Sequence, residues 1–211
     1  MQSKSNAYRS QVMRNCDVKI VEKISLFRYT RIMNDFTQLL LNRRSKRRYL
    51  DKAVPPEIEE ELMTTALASP SGKNRRPWEC ILIRDRASLE ALSEAKAHGA
   101  SFLAGAPLAI AVAGLPEVSD TWIEDCSIVS INIQLAAQAL GLGSCWIQIY
   151  KRRNRNGDDA SRIAAALLGL PESAEVLSVI ALGYSDEERP ALTRETLSWE
   201  KAHREQSGNP W

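Results

Sequence analysis

Within ten residues, Ser69-Pro70-Ser71-Gly72-Lys73-Asn74-Arg75-Arg76-Pro77-Trp78 gathers hydroxyls, a side-chain amide and three cations among turn formers. The stretch runs straight into the apolar Cys80-Ile81-Leu82-Ile83, so it reads as a loop opening a buried strand. A loop placed by a rigid strand is a common seat for binding groups. An amide that both donates and accepts, beside several cations, suits a polar, anionic, ring-bearing ligand. The alternative is a solvated turn with ordinary surface charges, and this segment by itself leaves both open.

A second cluster, Arg43-Arg44-Ser45-Lys46-Arg47-Arg48, is denser in charge. Arginine forks take a phosphate through paired hydrogen bonds, and a serine adds one more. A solvated charge run or a nucleic-acid patch would look the same over so few residues. The third segment, Gly141-Leu142-Gly143-Ser144-Cys145-Trp146-Ile147-Gln148, joins a long apolar helix to a strand. Its glycines read first as a helix stop and tight turn. No GxGxxG, GxxxxGK[ST] or GxSxG occurs, so the usual dinucleotide, P-loop and hydrolase signatures are missing.

The elements that must position these groups alternate. The spacing predicts a helix over about 34–43, a basic loop to about 52, and a helix from Pro55-Pro56 to about Ala68. Next come a strand at 79–84, a helix at 87–97 and a strand at 107–113. The helix over 120–140 is apolar nearly all round and must be buried on most faces, one of them naturally a subunit interface. Its Asp125, Asn132, Gln134 and Gln138 argue against a membrane span. A strand at 144–149, a basic loop Lys151–Asn156, a helix at 158–168 and a strand at 175–182 complete a helix-flanked α+β sheet. The tail from 185 to 211 is too polar for a core.

Composition narrows the function. With 211 residues and 44% hydrophobic content, the chain can bury one good core or two small ones. A net charge of +2 gives no global field for nucleic acid. Residues 1–32 nevertheless carry seven basic and two acidic groups, and are read as a basic extension or a misassigned start before a domain spanning 33–211. Cys16, Cys80, Cys126 and Cys145 form no CxxC, and with only two histidines a metal site is not expected. Scattered thiols, no signal-peptide pattern and no long apolar run point to a cytoplasmic protein with no membrane partner.

Taken in order, Arg43-Arg44-Ser45-Lys46-Arg47, Pro70-Ser71-Gly72-Lys73-Asn74, the Trp122–Leu140 helix with its Gly-Leu-Gly, and Ala181-Leu182-Gly183-Tyr184 resemble the FMN-dependent nitroreductase family. The resemblance spans about Phe36 to Trp199. It implies a mostly antiparallel central sheet flanked by helices, and a homodimer with a buried central helix and FMN at the subunit interface. By resemblance, Arg43, Arg44, Ser45 and Arg47 hold the phosphate and ribityl chain. Pro70, Ser71 and Asn74 touch the flavin, often from the other subunit. Backbone groups of Trp146, Ile147, Gln148 and Ile149 line its N5 edge, and Arg194, with Arg189 second, closes on the phosphate. The implied activity passes electrons from NADPH or NADH to nitroaromatic or quinone-type acceptors by a ping-pong mechanism. No protein catalytic residue is required, because the flavin carries the chemistry. The alternatives are a specialised reductase for enones or halogenated aromatics, and a non-catalytic flavin-binding protein. Two positions depart from the family pattern: Arg76, where Gln is frequent, and Gln148, where Gly or Glu is common.

Overall fold

A computed structural model of the chain describes residues 35–211. The expectations for residues 1–32 lie outside them. Leu41–Trp211 form one compact unit. Helix α1 (35–42) precedes and enters it in sequence.

The compact unit is built on four strands, β1 (Trp78–Ile83), β2 (Leu108–Gly114), β3 (Gly143–Gln148) and β4 (Glu175–Gly183). They lie in the order β1-β2-β4-β3, every pair antiparallel. The helices are α2 (Pro56–Leu67), α3 (Arg86–Glu94), α4 (Trp122–Ala139) and α5 (Ala160–Leu167). This is the helix-flanked, antiparallel α+β architecture expected from the sequence.

Period-2 alternation in β2 sorts the two faces by size. Leu108, Ile110 and Val112 pack with α2 and α4, around Leu62, Ala66, Val129 and Ile133. Ala109, Ala111 and Ala113 pack on the opposite face, against Leu89 and Leu92 of α3 and Ala160 and Ala164 of α5. The alanine layer leaves space for side chains carried by the α3/α5 layer, while the large residues fill the α4 side. A register shift at Val112/Ala113 bends the pairing with β4 near its end. Across the other face, Ser130 of α4 and Ser178 of β4 share a buried Oγ–Oγ hydrogen bond of 2.8 Å.

Local chemistry sets the helix ends. Asp85 accepts from the Ser88 amide at 2.8 Å, and Asp159 from those of Ser161 and Arg162 at 2.8 and 3.2 Å, both capping otherwise unpaired donors. Gly141, at φ +76°, takes the left-handed position that ends α4. Helix α3 stops three residues before the expected 97. The Ala97 amide turns to the Arg153 carbonyl (3.0 Å), a long-range bond that periodicity does not reveal. Among the described residues no helix is long and apolar enough to cross a membrane, and no group of side chains has the makings of a metal site.

The size sorting is testable by equilibrium denaturation. Ala111→Leu, at a fully buried position in the small-residue layer, should cost about 1–3 kcal/mol by overpacking. Ile110→Val, one residue away on the roomier face, should cost about 0.5–1.5 kcal/mol.

Candidate functional site

The basic cluster is held in extended form between two neighbours. On one side the Lys46 amide donates to the Ser144 carbonyl at 2.9 Å, and Ser45 and Ser144 form a parallel bridge at the start of β3. Gly143 permits this approach, since a Cβ there would sit 3.0 Å from both Lys46 Cβ and Ser185 Cβ. On the other side runs the segment after β4. The Leu50 amide donates to the Tyr184 carbonyl (2.8 Å), and the Leu192 amide to the Leu41 carbonyl (2.9 Å). The buried Tyr49 hydroxyl donates to the carbonyls of Lys46 (2.7 Å) and Ala181 (3.2 Å). Burial pushes its pKa up, so it stays a proton donor.

Extended backbone turns alternate side chains opposite ways. Arg44, Lys46 and Arg48 address the 185–190 segment: Arg44 Nη1 donates to the Pro190 carbonyl, Lys46 Nζ to the Glu187 carbonyl, and Arg48 Nε to Asp186 Oδ1 at 3.0 Å. Arg43, Ser45 and Arg47 instead lie near enough to Cys145 to act on its thiol. Burial pushes that thiol's pKa up, opposed by the Arg47 charge, a hydrogen bond from Ser45 and the Arg43 charge, with the Glu187 charge adding to the rise. Arg47 also lies over the Phe102 ring, 5.8 Å from its centroid. Of the four residues expected to act together, three converge and Arg44 serves the strap.

Two further cations border this cradle that sequence reasoning missed. Lys96 has its pKa lowered by burial and then by the Arg152 charge, with Cys145 acting the other way. Beside Lys96 opens a polar cleft of about 500 Å³, lined also by His98, Asn154 and Arg155. Arg43, Arg47, Lys96 and Arg152 form no ion pair with any described carboxylate. Uncompensated cations around one point make a site for an anion. Lys96 and Arg152 lie in no recognisable pattern, and only the folding of α3 against the 151–156 loop shows them.

The edge strand β3 continues from the cradle. The Ser144 carbonyl points away from β4 to Lys46, so alternation turns the backbone groups of Trp146 and Gln148 to the same outer edge. Those of Ile147 and Ile149 point to β4, and the Ile149 amide donates to the Leu177 carbonyl at 3.0 Å. The Trp146 indole donates to Gln148 Oε1 (3.0 Å), and Gln148 Nε2 to the Tyr150 carbonyl (3.2 Å). Tyr150 in turn packs edge-on against Trp122 of α4, with ring centroids 4.8 Å apart. Arg194 lies exposed in a single turn, Arg194–Thr196, just beyond the Leu192–Leu41 bond. No bond joins its guanidinium to the cradle. Arg189 is bound to Glu187.

The loop at 69–77 is docked elsewhere, on α4 at Asp125 and Asn132. The Gly72 amide donates to Asp125 Oδ1 (2.8 Å), and Asn132 Nδ2 to Ser69 Oγ (2.9 Å). Inside the loop the Arg76 amide donates to Ser71 Oγ (2.9 Å) and Arg76 Nε to Asn74 Oδ1 (3.0 Å). Lys73, Asn74 and Arg76 all have positive φ, at 52°, 55° and 49°. Asparagine tolerates that region, but lysine and arginine pay about 1–2 kcal/mol each. Pro70 and Asn74 are exposed and Ser71 is half-buried. The cradle lies past the other end of α4. At 1.5 Å per residue, Asp125 and Ala139 are about 21 Å apart along the helix axis.

The comparisons agree with this architecture. The model of the Nitroreductase family matches residues 40–184. An Archaeoglobus fulgidus protein, provisionally named an NADH dehydrogenase/NAD(P)H nitroreductase, is 38% identical over 161 residues, covering 74% of this chain and 89% of the relative. A Thermus thermophilus NADH dehydrogenase is 30% identical over 185 residues, covering 70% of this chain and 85% of its own. A solved FMN-dependent nitroreductase from Clostridium difficile superposes with a TM-score of 0.79 at 39% identity, covering 81% of this chain and 99% of that one. The chain belongs to the nitroreductase family and has its fold.

Glu187 gives the site a pH signature. Its carboxylate accepts from the amides of Arg47 (2.7 Å) and Arg48 (3.3 Å) and from Arg189 Nε (2.7 Å). These bonds, the Arg47 amide foremost, hold its pKa at about 2, below its usual 4.5. A carboxylate depressed on folding stabilises fully above its ordinary pKa, and the effect is lost as pH falls through the folded value. Thermal melts of wild type and Glu187→Gln should therefore differ most above pH 4.5 and converge towards pH 2.

Proposed function

We propose that this chain is an FMN-dependent oxidoreductase that carries electrons from NADPH or NADH to small nitroaromatic or quinone-type acceptors. The observation that carries the reading is the cradle: Arg43, Ser45 and Arg47 converge without acidic partners beside the open edge of β3, in a chain of this family. An FMN phosphate bears roughly two negative charges near neutral pH, and this donor set matches it. Arg194 would approach from the strap once the anion is present. The outward backbone groups of Trp146 and Gln148 offer the flavin ring donors and acceptors with no side-chain entropy to lose. Ile147 and Ile149 hold that strand rigid from the other face.

Bound FMN supplies the two-electron chemistry, which fits a site built from cations and backbone groups rather than an acid–base pair. Donor and acceptor would use one face in turn, giving parallel double-reciprocal lines. The described cysteines are free thiols, consistent with a reducing, cytoplasmic setting.

We further propose that the working form is a homodimer. Pro70, Ser71 and Asn74 sit at the opposite end of α4 from the cradle, so a second copy is the natural source of the loop that completes each site. Ile128, Ile131 and Leu135 form a half-exposed apolar stripe on α4, and Leu67 of α2 is 57% exposed. Covering such a stripe is what a stable subunit interface does.

Two measurements test these readings. Arg47→Ala removes a charge-assisted bond worth about 1.5–3 kcal/mol, so FMN titration should show affinity weaker by about tenfold or more. Equal affinity would remove Arg47 from the phosphate site. Ile131→Glu would bury an unpaired charge at the interface. Sedimentation should then show monomer with FMN lost, whereas a flavin-loaded wild-type monomer would overturn both the dimer and the shared site. Retained FMN without oxidation of either nicotinamide would favour the non-catalytic alternative. Turnover confined to enones or halogenated aromatics would favour the specialised reductase.

A further inference from the structure

Arg76 sits where the family pattern more often has glutamine, and the loop geometry gives it a specific task. Its Nε donates to Asn74 Oδ1 at 3.0 Å. A guanidinium has donors only, so the amide can meet it only through oxygen. The other end of Asn74, the NH2 group, is thereby turned away from Arg76 and into the open. A glutamine at 76 would impose no such choice, because its amide can donate or accept.

The backbone supports the same arrangement. Arg76 and Asn74 both adopt positive φ, and the Arg76 amide is tied back to Ser71 Oγ at 2.9 Å. Gly72 is anchored to the buried Asp125. Strain held in place by long-range bonds is a mark of pre-organisation. Arg75, the neighbouring cation, is used differently: its Nη1 lies 3.6 Å from Asp120 Oδ1. Arg76 has no ion pair with a described residue.

We infer that Arg76 is a positioning residue that locks the Asn74 amide with its NH2 outward, so that Asn74 acts on the ligand as a hydrogen-bond donor. The inference rests on the reading that Asn74 contacts the flavin. The partner is then an acceptor atom of the ring, and Arg76 acts through Asn74 without touching the ligand.

The test is a double-mutant cycle on FMN affinity in the full-length dimer, with the absorption spectrum of bound flavin as second readout and melting temperature as the folding control. Asn74→Ala and Arg76→Ala should each weaken FMN by about three- to tenfold, and shift the bound-flavin spectrum in the same way. Together they should cost no more than Asn74→Ala alone. Asn74→Asp keeps an acceptor for Arg76 but removes the outward donor, so it should bind no better than Asn74→Ala. Arg75→Ala, a loss of the same charge next door, should leave affinity and spectrum unchanged. Additive effects of the two alanine substitutions, or wild-type affinity in Asn74→Asp, would overturn the inference. So would loss in Arg75→Ala equal to that in Arg76→Ala. If Arg76→Ala fails to fold, Arg76→Met, which keeps a long side chain but has no donor, takes its place in the cycle under the same criteria. Wild-type affinity in Asn74→Ala would refute the flavin contact itself, and with it Arg76's role, while leaving the cradle standing. No FMN uptake by the wild-type protein would overturn the proposed function as well.

Discussion

The hydrogen bonds that the backbone amides of Arg47 and Arg48 donate to the Glu187 carboxylate are the constraint on which the strip's placement depends. Five basic residues in a six-residue run repel one another and favour solvent. Here the run is pinned as an extended strip between β3 and the 184–192 strap, and the pinning divides it. Arg44, Lys46 and Arg48 spend their charge on carbonyls and an aspartate of the strap. Arg43, Ser45 and Arg47 are left on the other face, near a buried thiol, and neither arginine forms an ion pair with a described carboxylate. The strap thus engages half of the strip's side chains and leaves the other half as the proposed anion site.

The sheet gives that strip a fixed reference. β3 is an edge strand, and its outer edge is covered by the strip only at Ser144. An uncovered edge invites association with another chain. In this molecule the edge adjoins a concentration of positive charge, which fits a ligand that is anionic at one end and hydrogen-bonds backbone at the other. The alanine layer on one face of β2 brings α3 close to the sheet, and α3 ends where Lys96 can join the cradle.

Most of the elements were legible in the sequence because their signals are local. Short apolar runs between turn formers marked the strands, an apolar helix stopped at Gly141, and the proline pair opened α2. The early end of α3 was not legible, because its cause is a bond from Ala97 to Arg153 across 56 positions of sequence. The order of the motifs singled out Arg43, Arg44, Ser45 and Arg47, and the loop with Asn74, as candidates. It did not separate Arg44 from its neighbours, since that division needs the extended conformation and the strap. Lys96 and Arg152 carried no signal at all. A lysine near a helix end comes near Cys145, and an arginine in a basic loop near that lysine, only in the folded chain.

The two parts of the candidate site lie apart along α4, and the proposed homodimer would give that separation a use. The cradle adjoins the C-terminal end of α4, and the Asn74 loop is anchored to Asp125 near its N-terminal end. The loop is anchored by a buried carboxylate that also accepts from the Ser119 and Thr121 hydroxyls. In the proposed homodimer, a two-fold axis would cross near the middle of α4. It would set the N-terminal half of one helix beside the C-terminal half of the other, and so place each loop by the opposite cradle. The half-exposed stripe of Ile128, Ile131 and Leu135 lies along that middle region. One apolar surface would then serve two purposes, burying the stripe and completing the site. Loss of the interface and loss of the cofactor would accordingly be one event rather than two.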